Sequence, residues 1–529
     1  MPAWEGIERG VIAAVFRFAP AHARTVGEHS YDGVVGDRSS TAIEARVDEI
    51  DRQLEALART AELDRDRDID RRALAAQLEA SRFELVELRS AFNDPLYYAG
   101  AGSELDVSAY LKRDYAPLGD RLASLARHLQ GYGGYLEAAR DNLEPSLPRP
   151  NLDVAIEAVT GQAAFLDGEV RAMTANHGCM GKQLDAAVSL VRDFGSFLRA
   201  RAAQAREHDA LGAERFERIL KLREMVELDV PALQRLIEAD VARNTARAVE
   251  LAEAIEPGRG VAAAVAQMEN DHPTSDSILH DVAGMLEGIR DFVLEREICS
   301  IPSETRCVVK GTPAYASYIT AALDSAGPLE IKARESYYYV TVPMAAWGPA
   351  RTEEWLRHLN YPVLINTSIH EAYPGHYVQA LHERAASSLT RRVFWVQGTG
   401  EGYAHYCEEM MIEAGFSAEP KLALAQVMDA LLRDCRVLVA VGLHCGGMTM
   451  EEAVEVFMRV GSVSRLPATR EASRGAWDPL YLTYTLGKLL IYELRREQER
   501  LPGYSLKKFH DAFLRCGNLP IPLIREQLV

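Results

Sequence analysis

Amphipathic helical patterns follow one another from residue 40 to residue 300, and they constrain the fold more than any other feature of the chain. In the segment VDEIDRQLEALART, Val47, Ile50, Leu54 and Leu57 recur at helical spacing, and charged residues fill the opposite face. The intervals between helix-breaking segments do not resemble each other, so no fixed-period repeat is predicted. We therefore predict a mainly α fold.

The pattern changes between residues 301 and 350, where the chain reads as loop with one strand. The segment ESYYYVTVP at 335–343 is rich in aromatic and β-branched residues, which favour strands. Helical pattern resumes at about residue 352 and continues almost to the end. We expect a helical N-terminal half over 1–300, and a second half over 301–529 with short strands and helices. The two halves are expected to form one continuous structural unit.

Charge, cysteine usage and hydropathy exclude several classes of protein. The formal net charge of −18 disfavours nucleic acid and anionic membrane surfaces as partners, since both are polyanions. Seven scattered cysteines without a CxxC pair argue against a disulfide framework and a thiolate zinc site. Arg17 breaks the N-terminal apolar run and Glu5 and Glu8 precede it, which argues against a signal peptide. We predict a cytoplasmic protein without a membrane partner; a homodimer stays open.

The segment IHEAYPGHYVQ, residues 369–379, combines two histidines and a glutamate in an unusual spacing. His370 and His376 are six residues apart, and on a regular helix this separation turns two side chains about 240° from each other. Pro374 lacks a backbone N–H and Gly375 tolerates unusual dihedral angles, so we expect an interruption between the histidines. Residues looped out there would bring His376 to the place of the second histidine in His-Glu-x-x-His.

A third ligand is predicted in GTGEGYAHYCEEMM, a segment that follows the two histidines. Glu401 lies 31 residues after His370, which is enough for one helix to end, turn and return antiparallel. Two histidines and one glutamate leave the fourth zinc position open, as in catalytic sites. Glu371 would then be the general base, and we expect one Zn²⁺ per chain. Glu408, seven residues after Glu401, is expected either behind the ligands or as a competing ligand.

The alternative is that these residues meet by chance, since His-Glu dipeptides are common. The helix-breaking Pro-Gly pair and the Glu-rich segment downstream both argue against chance. His382 and His405 are expected at the surface or behind the ligands rather than on the metal. Glu409 and Glu413 are expected on a solvated face.

These segments resemble a known family. HEAYPGH followed by EGYAHYCEEM is similar to the signature of the DUF885 family, which is grouped with the gluzincin metallopeptidases. The segment WDPLYLTYTLGKLLIYELR at 477–495 is similar to a block found in part of that family, and GLH at 442–444 with Arg436 ahead of it also fits. The resemblance covers residues 300–500 well and is weaker before them, where GEHSYDG at 27–33 fits an N-terminal pattern.

This resemblance implies a large helical zinc-peptidase fold with a deep cleft, distantly similar to carboxypeptidase Taq and the thimet-type oligopeptidases. It implies that His370, His376 and Glu401 bind zinc and that Glu371 is the base. The N-terminal helical half would form the walls of the cleft.

The C-terminal block supplies candidates for the remaining chemistry. Amide hydrolysis builds negative charge on the carbonyl oxygen, which a phenol or an imidazole can stabilise. The resemblance implies Tyr484, Tyr481 or His444 for this task, although tyrosines three residues apart are also common in cores. Arg470 and Arg474 lie just ahead and could bind a substrate carboxylate, or instead form structural ion pairs.

Three functions are compatible with these residues. We predict a zinc-dependent hydrolase of short peptides, of oligopeptidase, dipeptidase or carboxypeptidase type. One alternative is a metal-dependent hydrolase of a non-peptide amide, and the other is a catalytically inactive helical scaffold. For the peptidase, we expect the strand at 335–343 to lie beside the cleft as an edge strand, where it could pair with an extended peptide.

Overall fold

The computed structural model describes residues 4–100, 102–175, 180–313, 320–344 and 346–528. Over these residues the protein is mainly helical and contains one small three-stranded sheet, which confirms the predicted fold class. None of the described helices combines the length and apolar character that crossing a membrane requires.

The chain divides into two compact units. One unit comprises Met1–Asp209, Ala326–Arg334 and Ser388–Phe394. The other comprises Ala210–Ser325, Glu335–Ser387 and Trp395–Val529. The first change of unit along the chain therefore falls near residue 210, and two short later segments return to the first unit. That the chain forms one continuous structural unit stays a prediction.

The α-helices of the first unit are α1 (Trp4–Phe18), α2 (Pro20–Thr25), α3 (Ser40–Ala58), α4 (Arg65–Val86), α5 (Ser90–Asn93), α6 (Leu96–Ala99), α7 (Ala109–Lys112), α8 (Leu118–Asn142), α9 (Arg149–Phe165), α10 (Arg171–Thr174), α11 (Gly181–Arg201) and α19 (Thr390–Val393). Shorter helical turns cover His29–Tyr31, Leu166–Val170 and Ala202–Gln204.

The four apolar residues predicted to share one face of α3 face the core of the first unit. Ser39 begins the helix as its N-cap, because its side chain accepts a hydrogen bond from the backbone N–H of Ala42. Ile50 and Leu57 are almost fully buried, and Val47 and Leu54 pack against the same hydrophobic cluster. The helical spacing of the apolar residues therefore predicted the buried face correctly.

The N-terminal segment GEHSYDG also lies in the first unit. His29 forms a hydrogen bond with Glu330 at 2.8 Å, and its ring stacks on Tyr115 with the ring centroids 3.6 Å apart. Gly27 has a φ of +86°, and a Cβ there would lie 2.6 Å from the backbone nitrogen of Glu330. The segment therefore holds residues 326–334 against the N-terminal helices of this unit.

The helices of the second unit are α12 (Gly212–Glu224), α13 (Val230–Ile255), α14 (Gly260–Met268), α15 (Ile278–Glu295), α16 (Pro349–His358), α17 (Tyr361–Glu371), α18 (His376–Glu383), α20 (Gln397–Glu413), α21 (Pro420–Cys445), α22 (Met450–Arg459), α23 (Arg465–Trp477), α24 (Thr483–Gln498), α25 (Leu506–Arg515) and α26 (Ile521–Leu528). A 3₁₀ turn covers Pro479–Leu482, and the strands are β1 (Val308–Gly311), β2 (Ala321–Asp324) and β3 (Tyr337–Val340).

The predicted strand exists, but its predicted place in the sheet is wrong. β3 occupies the centre of ESYYYVTVP, and the sheet order is β1-β3-β2. β1 pairs with it in parallel and β2 pairs with it antiparallel, so β3 is the central strand and not an edge. A continuous apolar run such as YYYV is typical of a strand that is covered on both faces.

Three glycines bring α20 and α24 into backbone contact. A Cβ on Gly487 would lie 2.1 Å from the carbonyl oxygen of Gly398, and a Cβ on Gly402 would lie 2.6 Å from the Cα of Gly487. Only residues without a side chain fit at so close an approach. The contact fixes α20 relative to α24, and α20 carries the predicted ligand Glu401.

Candidate metal centre

An interrupted helix brings the two histidines of the HEAYPGH segment together. Helix α17 ends at Glu371 and α18 begins at His376, so the intervening residues lie outside both helices. A Cβ on Gly375 would lie 1.9 Å from the carbonyl oxygen of His370, which leaves room for glycine alone. The ring centroids of His370 and His376 are 4.8 Å apart.

The predicted third ligand faces both imidazoles. Glu401 Oε2 lies 3.4 Å from His370 Nε2 and 3.3 Å from His376 Nε2. Tetrahedral zinc with bonds of about 2.0–2.1 Å places its ligand atoms about 3.3 Å apart. Among the described residues, no other group of His, Cys, Asp and Glu side chains has spacing suited to a metal ion. The donor set and the two distances to Glu401 therefore fit zinc.

Each histidine is oriented from behind by a different partner. His370 Nδ1 donates to Glu408 Oε1 at 2.7 Å, and His376 Nδ1 donates to Gln379 Oε1 at 2.9 Å. The Gln379 amide in turn donates to the carbonyl oxygen of Thr399 at 3.1 Å. Because Nδ1 is engaged in both rings, both Nε2 atoms face the centre as potential ligands.

Glu408 supports a ligand and does not itself join the ligand set. Its carboxylate is fully buried and also accepts hydrogen bonds from His405 Nδ1 at 3.1 Å and Asn366 Nδ2 at 3.3 Å. Arg433 lies 3.0 Å away as an ion pair. Burial alone would raise the pKa of Glu408, but Arg433, His405 and His370 hold it well below its usual range. Its oxygen atoms are thus already occupied by donors.

Carboxylates and imidazoles at this centre shift one another's pKa values. Burial alone would lower the pKa of His370, but Glu401 and Glu408 raise it to about 9. Burial would raise the pKa of Glu401, but His376 and His370 hold it well below its usual range. The buried carboxylates therefore favour positive charge at this centre, which a bound metal ion would supply.

The candidate base Glu371 is held by the sheet. Its Oε2 accepts a hydrogen bond of 2.8 Å from the backbone N–H of Leu323 in β2. Thr341 N donates to Thr320 O, so Thr320, Ala322 and Asp324 turn their backbone groups towards β3, and Leu323 faces away from it. The outer edge of β2 thus reaches the residue beside the first ligand.

Tyr484 lies next to the ligands among three arginines. Its ring is nearly parallel to that of His370, with the centroids 6.4 Å apart. The guanidinium carbons of Arg436, Arg433 and Arg474 lie 4.8, 5.7 and 5.8 Å from the tyrosine ring. Burial raises the pKa of Tyr484 to about 12, so its hydroxyl stays protonated as a donor at neutral pH.

The other two candidates for the oxyanion lie in the core. Tyr481 is fully buried in a hydrophobic cluster, and its hydroxyl has no hydrogen-bond partner among the described residues. His444 is also buried; its Nε2 donates to the carbonyl oxygen of Gly475 at 2.9 Å, and its ring stacks on Phe216. In the described part of the chain, neither shows a contact with the three ligands.

The two predicted carboxylate anchors differ in their surroundings. Arg474 forms an ion pair of 3.0 Å with Asp478. The side chain of Arg474 is 29% exposed and lies beside the ring of Tyr484. Arg470 is exposed on α23, one helical turn earlier. The structure brings Arg474 to the metal-site tyrosine and does not bring Arg470 there.

Of the neighbouring acidic residues, Glu409 is more buried than expected, whereas Glu413 is 43% exposed, as predicted. The expectation that Glu409 faces solvent is wrong, because its side chain is 18% exposed and pairs with Arg243 and with Lys488. His405 lies behind Glu408, and His382 bonds to the carbonyl oxygen of Ser300 at 2.9 Å. A run of charges on a helix face therefore does not by itself indicate a solvated face.

Several contacts at the site were not predicted, among them those of Gln379, Leu323 and Trp395. Gln379 could have been inferred, because it follows His376 by three residues on a helix, where side chains meet. The N–H of Leu323 precedes Glu371 by 48 residues, and nothing local indicates it. Trp395 lies just before α20, and the centroid of its ring is 6.0 Å from the centroid of the His376 ring.

Comparison with known proteins gives a family and a fold. The family described as "Bacterial protein of unknown function (DUF885)" matches residues 20–528. A structure of a candidate lipoprotein of unknown function from Shewanella oneidensis is 23% identical, with a TM-score of 0.83 and 100% of both chains covered. A candidate lipoprotein from Colwellia psychrerythraea is 16% identical, with a TM-score of 0.80, covering 99% of this chain and 98% of that one. No protein with a curated description matches significantly.

Proposed function

The chain belongs to the bacterial DUF885 family, and from that membership and the metal centre we propose that it is a zinc-dependent hydrolase of short peptides. One observation supports this most directly: the Nε2 atoms of His370 and His376 each lie 3.3–3.4 Å from one carboxylate oxygen of Glu401, beside a further glutamate. A relationship to the gluzincin peptidases and to carboxypeptidase Taq is part of the same proposal.

The ligands and the base would have separate tasks. His370, His376 and Glu401 would bind the metal. When bound, zinc would supply Lewis acidity, which polarises the scissile carbonyl and makes a water molecule more acidic. Glu371, fixed by the Leu323 N–H, would accept a proton from the attacking water and pass it to the leaving nitrogen.

The oxyanion is best assigned to Tyr484. Its ring lies beside His370, its hydroxyl stays protonated, and the arginines around it add positive charge. A donor aimed at the developing negative charge stabilises the transition state more than the substrate. Tyr481 and His444 are less suited to this role, because both pack within the core.

The outer edge of β2 is the candidate peptide-binding edge. Ala321 and Leu323 turn their backbone groups away from β3, and the Leu323 N–H is used by Glu371. The remaining outward groups could pair with an extended substrate whatever its side chains. This replaces β3, which the sequence suggested for the same task.

A terminal carboxylate could bind at Arg474. The guanidinium of Arg474 lies beside Tyr484, and the side chain is partly exposed to solvent. Its ion-pair partner Asp478 follows it by four residues. Arginine binds carboxylates bidentately, which would fix the end of a peptide close to the metal. The exposed Arg470 is the weaker candidate.

Two alternatives remain as proposals of lower rank. A non-peptide amide would need the same metal, base and oxyanion donor, so only substrate screening separates the two. An inactive scaffold is disfavoured by the supports that orient both histidines, since a vestigial motif does not need them. For location, the lipoprotein descriptions of both structural relatives do not support the cytoplasm that the sequence suggested.

The test is a screen of dipeptides and tripeptides with zinc-loaded protein, with and without a chelator. We expect cleavage that the chelator abolishes and added zinc restores. Glu371→Gln should keep its zinc and lose about 10²–10⁴-fold in kcat/KM, because only the base is removed. Glu413→Gln on α20, where the side chain is 43% exposed, is the matched control and should keep its activity. A Glu371→Gln protein with wild-type turnover would show that Glu371 is not the base.

A further inference from the structure

We propose that Trp395 is a specificity-determining residue that selects substrates with an aromatic or large aliphatic side chain next to the cleaved bond. The inference rests on the proposed function and adds to it the chemical class of the substrate side chain. It is carried by the position, the support and the exposure of one indole ring.

The indole lies against the metal ligands. Its ring centroid is 6.0 Å from that of His376, and the two planes are inclined by 55°. Residue 395 also precedes the ligand Glu401 by six positions, at the start of the helix that carries it. A substrate bound at the metal would therefore have its nearest side chains within reach of this ring.

One edge of the ring packs against a residue that has no side chain. A Cβ on Gly400 would lie 2.2 Å from Cζ2 and Cη2 of Trp395. The indole edge therefore rests directly on the backbone of α20, one residue before Glu401. An aromatic surface held in this way is already oriented and loses little conformational entropy when a ligand covers it.

The exposure of this ring is unusual for the protein. Trp395 is 52% exposed, and every other aromatic side chain described is buried or only partly accessible. Tryptophan is mostly buried in folded proteins, so one that faces solvent beside a catalytic centre indicates a contact with a ligand. An apolar side chain placed on the indole would remove both surfaces from water.

The two histidines thus have different surroundings. Tyr484 and three arginines lie beside His370, whereas Trp395 lies beside His376. A peptide that crosses the centre would meet charged and polar groups on one side and an aromatic surface on the other. An apolar residue on the tryptophan side and a carboxylate on the arginine side would match this arrangement.

The experiment compares tripeptides that carry phenylalanine, leucine or serine at one position and alanine at the others. For wild-type protein, phenylalanine and leucine should exceed serine in kcat/KM by about tenfold at one position. Trp395→Ala should bring that ratio close to one, with zinc content unchanged and the serine peptide affected by less than about threefold. Trp395→Phe should keep most of the preference. Leu466→Ala, at a site that is 69% exposed, is the surface control and should change nothing.

A calorimetric titration separates failure of this inference from failure of the proposed function. The same peptides are titrated into zinc-loaded Glu371→Gln protein, with and without Trp395→Ala. Preferential binding of the phenylalanine peptide that disappears with the tryptophan supports the inference, even if the wild-type protein cleaves none of the peptides. Equal affinity for phenylalanine and serine peptides, absence of binding, or a preference unchanged in Trp395→Ala would each overturn it.

Discussion

At the scale of single residues, the two histidine ligands are supported unequally. His370 donates to a buried carboxylate that Arg433 and His405 also hold, whereas His376 donates to the neutral amide of Gln379. A carboxylate behind an imidazole makes that imidazole the more basic ligand. Loss of the support at His370 should therefore weaken metal binding more than loss of the support at His376.

Tyrosine substitutions test whether Tyr484, and not the core residue Tyr481, is the proposed oxyanion donor. Tyr484→Phe should lower kcat by about 10–10³-fold with little change in zinc content, because it removes a donor that acts in the transition state. Tyr481→Phe removes a hydroxyl that has no partner in the described core, so activity and stability should stay near wild type. Steady-state kinetics and urea unfolding measure both. If Tyr481→Phe lost activity and Tyr484→Phe did not, the assignment would be reversed.

The convergence of His370, His376 and Glu401 could be predicted from the sequence, because the three residues lie in two local segments with interpretable spacing. Pro374 and Gly375 indicated the interruption that unites the histidines, and Glu401 followed at a distance one helical return can span. The N–H of Leu323 and the ring of Trp395 could not be predicted in the same way. Their contacts depend on how the sheet and the start of α20 pack, which no short segment encodes.

At the scale of elements, α20 is held at its first turn by a buried acid. The backbone N–H of Gly398 donates to both carboxylate oxygens of Glu224, each at 3.1 Å. A Cβ on Gly398 would lie 2.4 Å from Glu224 Oε2, so the carboxylate occupies the space of a side chain. The carboxylate thus satisfies a free N–H at the start of the helix that bears Glu401.

The burial of Glu224 makes stability depend on pH, and the hydrogen bond from Gly398 offsets only part of its effect on the pKa. Burial raises the pKa of Glu224 from 4.5 to about 7. Because the pKa of Glu224 is higher in the folded protein than in the unfolded chain, its protonated form stabilises the fold. This contribution to the free energy of unfolding is fully present below pH 4.5 and is lost as the pH rises through 7. The loss amounts to about 3 kcal/mol. Glu224→Gln cannot ionise and should remove this part of the decline. Urea unfolding across the pH range, compared with the wild type, measures the difference.

The control for this prediction is Glu214→Gln, at an exposed position of the same helix α12. It should keep the wild-type dependence of unfolding free energy on pH. If Glu224→Gln and the wild type lost stability in parallel between pH 4.5 and 7, Glu224 would be ionised throughout that interval.

Of the three strands, only β3 could be predicted from the sequence pattern. β3 could be predicted from its aromatic and β-branched residues, whereas β1 and β2 span only four residues each and lie in segments that read as loop. Alternation cannot be recognised over so short a span. Which strand forms the edge depends on pairing between segments, and that pairing places β2 next to Glu371.

At the scale of the whole molecule, the candidate chemistry belongs to one of the two compact units. The ligands, the base, Tyr484 and Trp395 all lie within the unit that includes Glu335–Ser387 and Trp395–Val529. The edge strand beside the base belongs to the same unit, within Ala210–Ser325. Loss of metal should therefore first affect the order of this unit.

The proposed function, together with the size of the edge strand, predicts short substrates. β2 has four residues, of which two turn their backbone groups outward, so it can pair with only a short stretch of peptide. We expect tripeptides and similar short peptides to be cleaved, and unfolded casein to be a poor substrate at internal bonds. Amidation of the C-terminus should lower kcat/KM by about tenfold or more if Arg474 binds the carboxylate.

Mass spectrometry of the peptide products measures both effects. Arg474→Gln should remove the difference between the free acid and the amide, and Arg470→Gln should leave it. Equal cleavage of acid and amide by the wild type would exclude carboxylate anchoring. Rapid internal cleavage of casein would exclude a requirement for short substrates.

The metal content of the purified protein tests the central claim most directly. After loading with zinc and extensive dialysis, elemental analysis should find about one zinc per chain. His370→Ala, His376→Ala and Glu401→Ala should each bind little zinc, and Glu408→Gln should bind it about 10–100-fold more weakly. A wild-type protein that holds no zinc after loading would contradict the claim, and so would zinc retained in full when all three ligands are replaced.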